Sequence, residues 1–127
     1  MRILLAIKRS DLRLGVEMLL SEQTGFTVVG SITDISSLLP LVKTTHPDIV
    51  VVEWDLPGGI LGEVLDSVQV TASRPAIIVM DKDAQTKQPA FDAGADAFVH
   101  KGDSPEELLN TIQRVYARNY TSRKIES

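Results

Sequence analysis

The chain has 127 residues, the usual size of one folding unit and long enough to bury a core without staples. It contains no cysteine, which excludes disulfide scaffolds, thiol catalysis and thiolate metal sites; 13 basic against 17 acidic residues, net −4, argue against nucleic acid as the main partner. No apolar run approaches the roughly 20 residues of a membrane span, and Met1-Arg2-Ile3 opens no secretion signal, so a cytoplasmic domain with no membrane partner is expected.

The first apolar run, Ile3 to Ile7, is continuous, as in a strand covered on both faces. Leu12, Val16, Leu19 and Leu20 then recur with helical period. A second run, Phe26 to Val29, precedes the stripe Ile35, Leu38, Leu39 and Val42. The third, Ile49 to Val52, is again continuous and leads to Leu61, Val64, Leu65 and Val68. The fourth is Ala76 to Met80. Between Asp81 and Gly94 the chain reads DKDAQTKQPAFDAG, and Pro89 restricts this stretch to a short or displaced helix. The fifth run, Ala97 to Val99, leads into the strongest helix signal: Ser104 suits the cap, Pro105 the first helical position and Glu107 a capping box. Leu108, Leu109, Ile112, Val115 and Tyr116 form that helix's apolar stripe. The segment after Tyr120, TSRKIES, reads as a polar tail or the start of a linker, so the domain is expected to occupy 1–120, with 121–127 outside it.

Strand alternating with helix points to a parallel sheet with helices on both faces, whose sites lie beyond the carboxyl ends of the strands. The residues at those ends are Ile7 to Asp11, Glu53 to Gly59, Met80 to Asp83 and His100 to Asp103. From Thr44 to His100 there are nine acids (Asp48, Glu53, Asp55, Glu63, Asp66, Asp81, Asp83, Asp92, Asp96) against Arg74, Lys82 and Lys87, which signals either a cation site or solvated helix faces. The two histidines, His46 and His100, have no partner at metal-ligand spacing. Neither a nucleophile elbow nor a phosphate-binding glycine loop occurs, and no enzymatic activity is expected.

Two stretches carry a family resemblance. HPDIVVVEWDLPG (His46 to Gly58) and AGADAFVHKGDSPEELL (Ala93 to Leu109) resemble the bacterial response-regulator receiver domain of two-component phosphorelays, and the similarity runs from Arg2 to about Arg118. The second stretch is similar to receivers that precede a helix-turn-helix output domain. The resemblance implies a CheY-like, flavodoxin-like (βα)5 three-layer sandwich with a five-stranded parallel sheet in the order 2-1-3-4-5. It also implies transfer of a phosphoryl group from a histidine kinase to an aspartate after strand three. Two acids after strand one would hold magnesium, with a hydroxyl after strand four and a lysine after strand five on the phosphoryl oxygens. Positioning and cations supply most of such catalysis, because the transferred group spreads negative charge over its oxygens.

Carried over by position, the pattern is degenerate. The acid pair falls on Ile7 and Lys8, the phosphoacceptor on Glu53, and the hydroxyl on Met80 or Asp81. The lysine is retained as Lys101, the aromatic that switches rotamer in receivers is Phe98, and Pro57 and Gly58 match the loop after the acceptor. Glu53 either supplies a permanent negative charge or only pairs with Lys101. The Lys8 ammonium is expected in the space magnesium would fill, pairing with Glu53 or Asp55, the alternative being solvent. A cation site from Glu53, Asp55 and Asp81 has nothing in the sequence to fix its convergence. Phe98 is expected to pack on the final helix and, with strand-end His100, to border a partner face made by the fourth helix, fifth strand and fifth helix. The expectation is a pseudo-receiver: a signalling module with no catalytic residue, no cofactor and no bound metal. It would act through protein partners, with a homodimer across that face and no nucleic acid bound by the chain itself. The alternatives are a receiver that still accepts a phosphoryl group at Glu53 or Asp55, and a small-ligand or ion sensor.

Overall fold

A computed structural model describes residues 1–126, with side chains described through Asn119. Strand and helix alternate as β1 (Arg2–Ala6), α1 (Ser10–Ser21), β2 (Thr27–Ile32), α2 (Leu38–Thr45), β3 (Ile49–Glu53), α3 (Leu61–Gln69), β4 (Ala76–Asp81), α4 (Lys87–Asp92), β5 (Ala97–His100) and α5 (Pro105–Glu126). Single 3-10 turns, Ile35–Ser37 and Ala84–Thr86, lead into α2 and α4.

The five strands form one parallel sheet in the order β2-β1-β3-β4-β5, a flavodoxin-like three-layer arrangement. Alternate strand residues feed two cores. Ile3, Leu5, Val51 and Ile78 meet Val16 and Leu20 of α1 and Leu108 and Ile112 of α5 on one face. Leu4, Val50, Ile77 and Val79 meet α2 to α4 on the other. Every residue of β3 and β4 is buried, which explains their unbroken apolar sequence up to the strand ends.

The edge strand departs from the expected Phe26 to Val29 and runs from Thr27 to Ile32. Its apolar run stops early because Gly30 and Ser31 continue the strand. Gly30 packs closely there: a Cβ would lie 2.8 Å from Leu41 Cδ2 and 3.0 Å from Leu4 Cδ1, so the ends of those side chains would have to shift. Ile3 pairs with Val28 but Leu4 with Gly30, so Val29 is an extra residue that bulges the strand. Helix α4 is short, six residues, with Pro89 third, where its missing N–H has no intrahelical partner to lose. Pro105 opens α5, and the Glu107 N–H donates to the Ser104 carbonyl at 3.0 Å. The backbone of α5 continues to Glu126, through the segment read as a tail or linker; the side chain of Tyr120 lies outside the described residues. Among the described residues no helix is long and apolar enough to cross a membrane.

The loop after β3 is latched to the turn before α2. The Ile35 N–H donates to the Pro57 carbonyl at 2.8 Å, and Asp34 Oδ1 accepts from the Ser36 hydroxyl (2.7 Å) and the Ser37 N–H (2.9 Å). Gly58 follows with φ +100°, and a Cβ there would sit 3.3 Å from Asp34 Cβ.

Candidate functional site

The carboxyl ends of β1, β3, β4 and β5 converge on Glu53, the last residue of β3 and only 1% exposed. Its two oxygens have different partners. Oε1 accepts the backbone N–H groups of Lys8 (2.5 Å) and Arg9 (3.1 Å), immediately before α1. Oε2 pairs with the ammonium of Lys101, whose side chain is 11% exposed. A buried carboxylate is tolerable only when paired and hydrogen-bonded, and these three donors meet that condition at the positive end of a helix. Asp55 sits outside this cluster, its side chain 70% exposed and Oδ1 3.7 Å from Lys101 Nζ.

Lys8 contributes by a different atom from the one expected. Its side chain is exposed and forms no ion pair among the described residues, so the ammonium does not occupy the metal position. The backbone amide does the work, because the extra methylene of glutamate carries the carboxylate to the β1–α1 loop. Ile7 is fully buried in the α1–α5 core. The loop is further closed by Arg13, whose Nη1 donates to the carbonyls of Ile7 (3.1 Å) and Lys8 (3.3 Å). Magnesium, which the resemblance implied, does not fit these residues. A cation needs oxygen ligands, yet the loop presents an apolar side chain and N–H donors that are already on Glu53. Among the described residues no group of three or more His, Asp or Glu side chains is placed to hold a metal ion.

The position after β4 resolves into two residues with opposite orientations. Met80, paired in register with Glu53, is buried in the α1–α5 core. Asp81, 8% exposed, turns to the other side and accepts the Thr86 hydroxyl on Oδ2 at 2.5 Å. The nearest hydroxyl after β4 is therefore committed to Asp81. The conceivable cation site disperses accordingly: Asp81 holds Thr86, and Asp83 Oδ1 accepts the Gln85 N–H at 2.9 Å. On β5, half-buried His100 lies beside Asp81 in register, and its Nδ1 accepts the Gly102 N–H at 2.9 Å. Phe98 packs against the α2–α4 core, its ring assigned to that side because Ala97 and Val99 occupy the α5 side.

A groove of about 250 Å³ adjoins the cluster between α1 and α5, floored by Met80 and Val99 and rimmed by Asp11, His100 and Lys101. At its edge Arg9 and Asp11 form a solvent-exposed pair at 2.9 Å. The hydrogen bond from Arg9, helped by the Leu12 N–H, holds the Asp11 carboxyl below its ordinary range, and the same bond raises Arg9.

The structure brings Glu53 and Lys101 together, with the Lys8 amide on Glu53, and places Ile7, Met80 and Asp81 at the neighbouring strand ends. Sequence reading missed the Lys8 and Arg9 amides, which no residue type signals, and Thr86, whose signal was being the first hydroxyl after β4. The comparisons with known proteins agree with the geometry. A family model, "Response regulator receiver domain", matches residues 3–113. The "Probable transcriptional regulatory protein SgaR" of Hyphomicrobium methylovorum is 32% identical over 105 residues, 81% of this chain and 50% of that protein. The "Nitrate/nitrite response regulator protein NarL" of Escherichia coli K12 is 29% identical over 120 residues, 91% of this chain and 54% of that protein. The chain thus spans about half the length of these curated relatives. A LuxR-family two-component response regulator from Aurantimonas sp. SI85-9A1 superimposes with a TM-score of 0.81 at 29% identity, covering 91% of this chain and 84% of that one. The receiver domain of a putative NarL from Mycobacterium tuberculosis shares the fold, with a TM-score of 0.82 at 21% identity over 91% of this chain and 95% of that one.

Proposed function

Because the chain belongs to the response-regulator receiver family, we propose that it is a receiver whose acceptor pocket is locked by Glu53 and which signals through protein contacts without aspartyl phosphorylation. The receiver unit is residues 1–120. The observation that carries this reading is the closed triangle on Glu53: both carboxylate oxygens are engaged, one by the loop that would hold magnesium and the other by Lys101. An incoming phosphoryl group would meet a nucleophile with its donors already committed and no metal to neutralise charge. The partner surface in this reading is the face of α4, β5 and α5, bordered by Phe98 and His100.

One observation favours a second reading. Asp55 is exposed and within 3.7 Å of Lys101, so it is the carboxylate a phosphoryl donor reaches first. Incubation with acetyl phosphate and magnesium, followed by intact mass and peptide mapping, tests both. No gain of a phosphoryl group is the expected result; phosphate on Glu53 overturns the locked pocket, and phosphate on Asp55 establishes the second reading.

A further inference from the structure

Helix α1 carries a residue that its own packing does not explain. Gly15 lies in the helix interior, where glycine is the poorest former after proline, and a Cβ built there meets no neighbouring atom within 4 Å. Gly15 instead lines the groove of about 250 Å³ between α1 and α5, whose floor is Met80 and Val99 of the sheet. A side chain at this position would narrow that space, so the glycine keeps the groove open. The rim adds an unspent donor. The Gly102 N–H donates to His100 Nδ1 at 2.9 Å, which places the proton of the neutral ring on Nε2, and no acceptor meets that N–H among the described residues. The charges beside it are committed: Lys101 to Glu53, Asp11 to Arg9, and Asp103 Oδ2 to the His100 backbone N–H.

From this we infer that the α1–α5 groove binds a small uncharged molecule, an apolar ring with a short carbonyl-bearing substituent, the ring over Gly15 and the carbonyl oxygen accepting from His100 Nε2. The size fits: a closed apolar cavity of roughly 150 Å³ holds a benzene ring, and the space here is larger. The form fits as well, since the groove reaches down between two helices to the sheet, with an apolar floor and few polar groups at its rim. A charged ligand would give up its hydration to Leu12, Met80 and Val99 without meeting a free counter-ion. The inference goes beyond the locked-pocket reading and does not depend on it, because neither Gly15 nor His100 holds Glu53. The occupant would lie against the turn that carries Lys101 to Glu53, which gives the chain an input other than a phosphoryl group.

The test is a proton–nitrogen correlation NMR titration of the labelled chain with acetophenone, ethylbenzene, benzoate and benzylammonium. Acetophenone is expected to move the amide signals of Leu12, Gly15, Val99 and Lys101. Ethylbenzene, which keeps the ring and loses the acceptor, should bind about fivefold more weakly, and the two charged probes should not bind. Gly15→Leu fills the groove and should abolish binding, while its urea midpoint rises because leucine is the better helix former. His100→Leu removes the donor and leaves the groove open, so acetophenone should fall to the affinity of ethylbenzene. Signals that stay still with acetophenone, or that move equally in Gly15→Leu, would each overturn the inference. So would a charged probe that binds as tightly, an unchanged preference for acetophenone in His100→Leu, or sedimentation as a dimer that Gly15→Leu dissolves.

Discussion

Replacing Lys101 by Met removes the ammonium that holds Glu53 Oε2 and leaves its carboxylate, 1% exposed, beside an apolar side chain. Breaking a buried pair from one side costs about 3–5 kcal/mol, because the remaining charge cannot return to water. Glu53 keeps the Lys8 and Arg9 amides on Oε1, so the low end, about 3 kcal/mol, is the expected loss. For a domain of this size that is a large share of total stability, and in urea it moves the midpoint down by about 1.5 M. Trp54, the single tryptophan, follows Glu53 and packs half-buried against the α2–α4 core, so its fluorescence reports the transition. Lys101→Met combined with Glu53→Gln isolates the pair. Most of the loss should be recovered, with a coupling of about 2 kcal/mol. A Lys101→Met loss below about 1 kcal/mol, the range of an exposed ion pair, would refute the claim that Glu53 is locked.

Magnesium at millimolar concentration should leave the thermal midpoint unchanged, whereas a ligand present at 100 times its Kd would stabilise by about 2.7 kcal/mol; a scan with and without the metal decides. Ile112→Ala, at a fully buried position facing β4 and β5, should cost about 2–5 kcal/mol in urea unfolding without altering the far-ultraviolet circular dichroism of the folded state. Gly58→Ala forces a side chain into φ +100° and against Asp34, and should cost about 1–3 kcal/mol by the same unfolding assay. The Ser36 hydroxyl, followed by Ser37, holds the Asp34 carboxyl below its ordinary range. Its stabilising effect is therefore present above the unfolded value of about 3.9 and is lost as pH falls through the lower folded value. Asp34→Asn should accordingly be less stable than the parent chain at neutral pH and match it in acid, as read from urea midpoints across pH.

The central strands were legible because burial on both faces writes itself as unbroken apolar sequence: Ile49 to Val52 and Ala76 to Met80 sit where they were expected. The edge strand was half legible. Gly30 and Ser31 carry no strand signal, and their place in β2 comes from pairing with Leu4 and Leu5 of β1. At the site, Glu53 and Lys101 were readable as opposite charges at the carboxyl ends of β3 and β5, two strands separated by β4. The role of Lys8 was not, since residue type points to its ammonium and the structure uses its amide. Phe98 likewise packs on the α2–α4 side, against the expected final helix, because the alternation along β5 gives the α5 side to Ala97 and Val99.

The bulge at Val29 also bears on how the chain behaves when crowded. A sheet edge is a template onto which another backbone can add, and regular spacing of its N–H and C=O groups is what makes the template work. Val29 interrupts that spacing midway along one margin, and the opposite margin, β5, offers only four residues before the Lys101 turn. Neither border supports a long added strand, so concentrated solutions should resist ordered edge-to-edge polymerisation even though the sheet between those borders is almost wholly apolar.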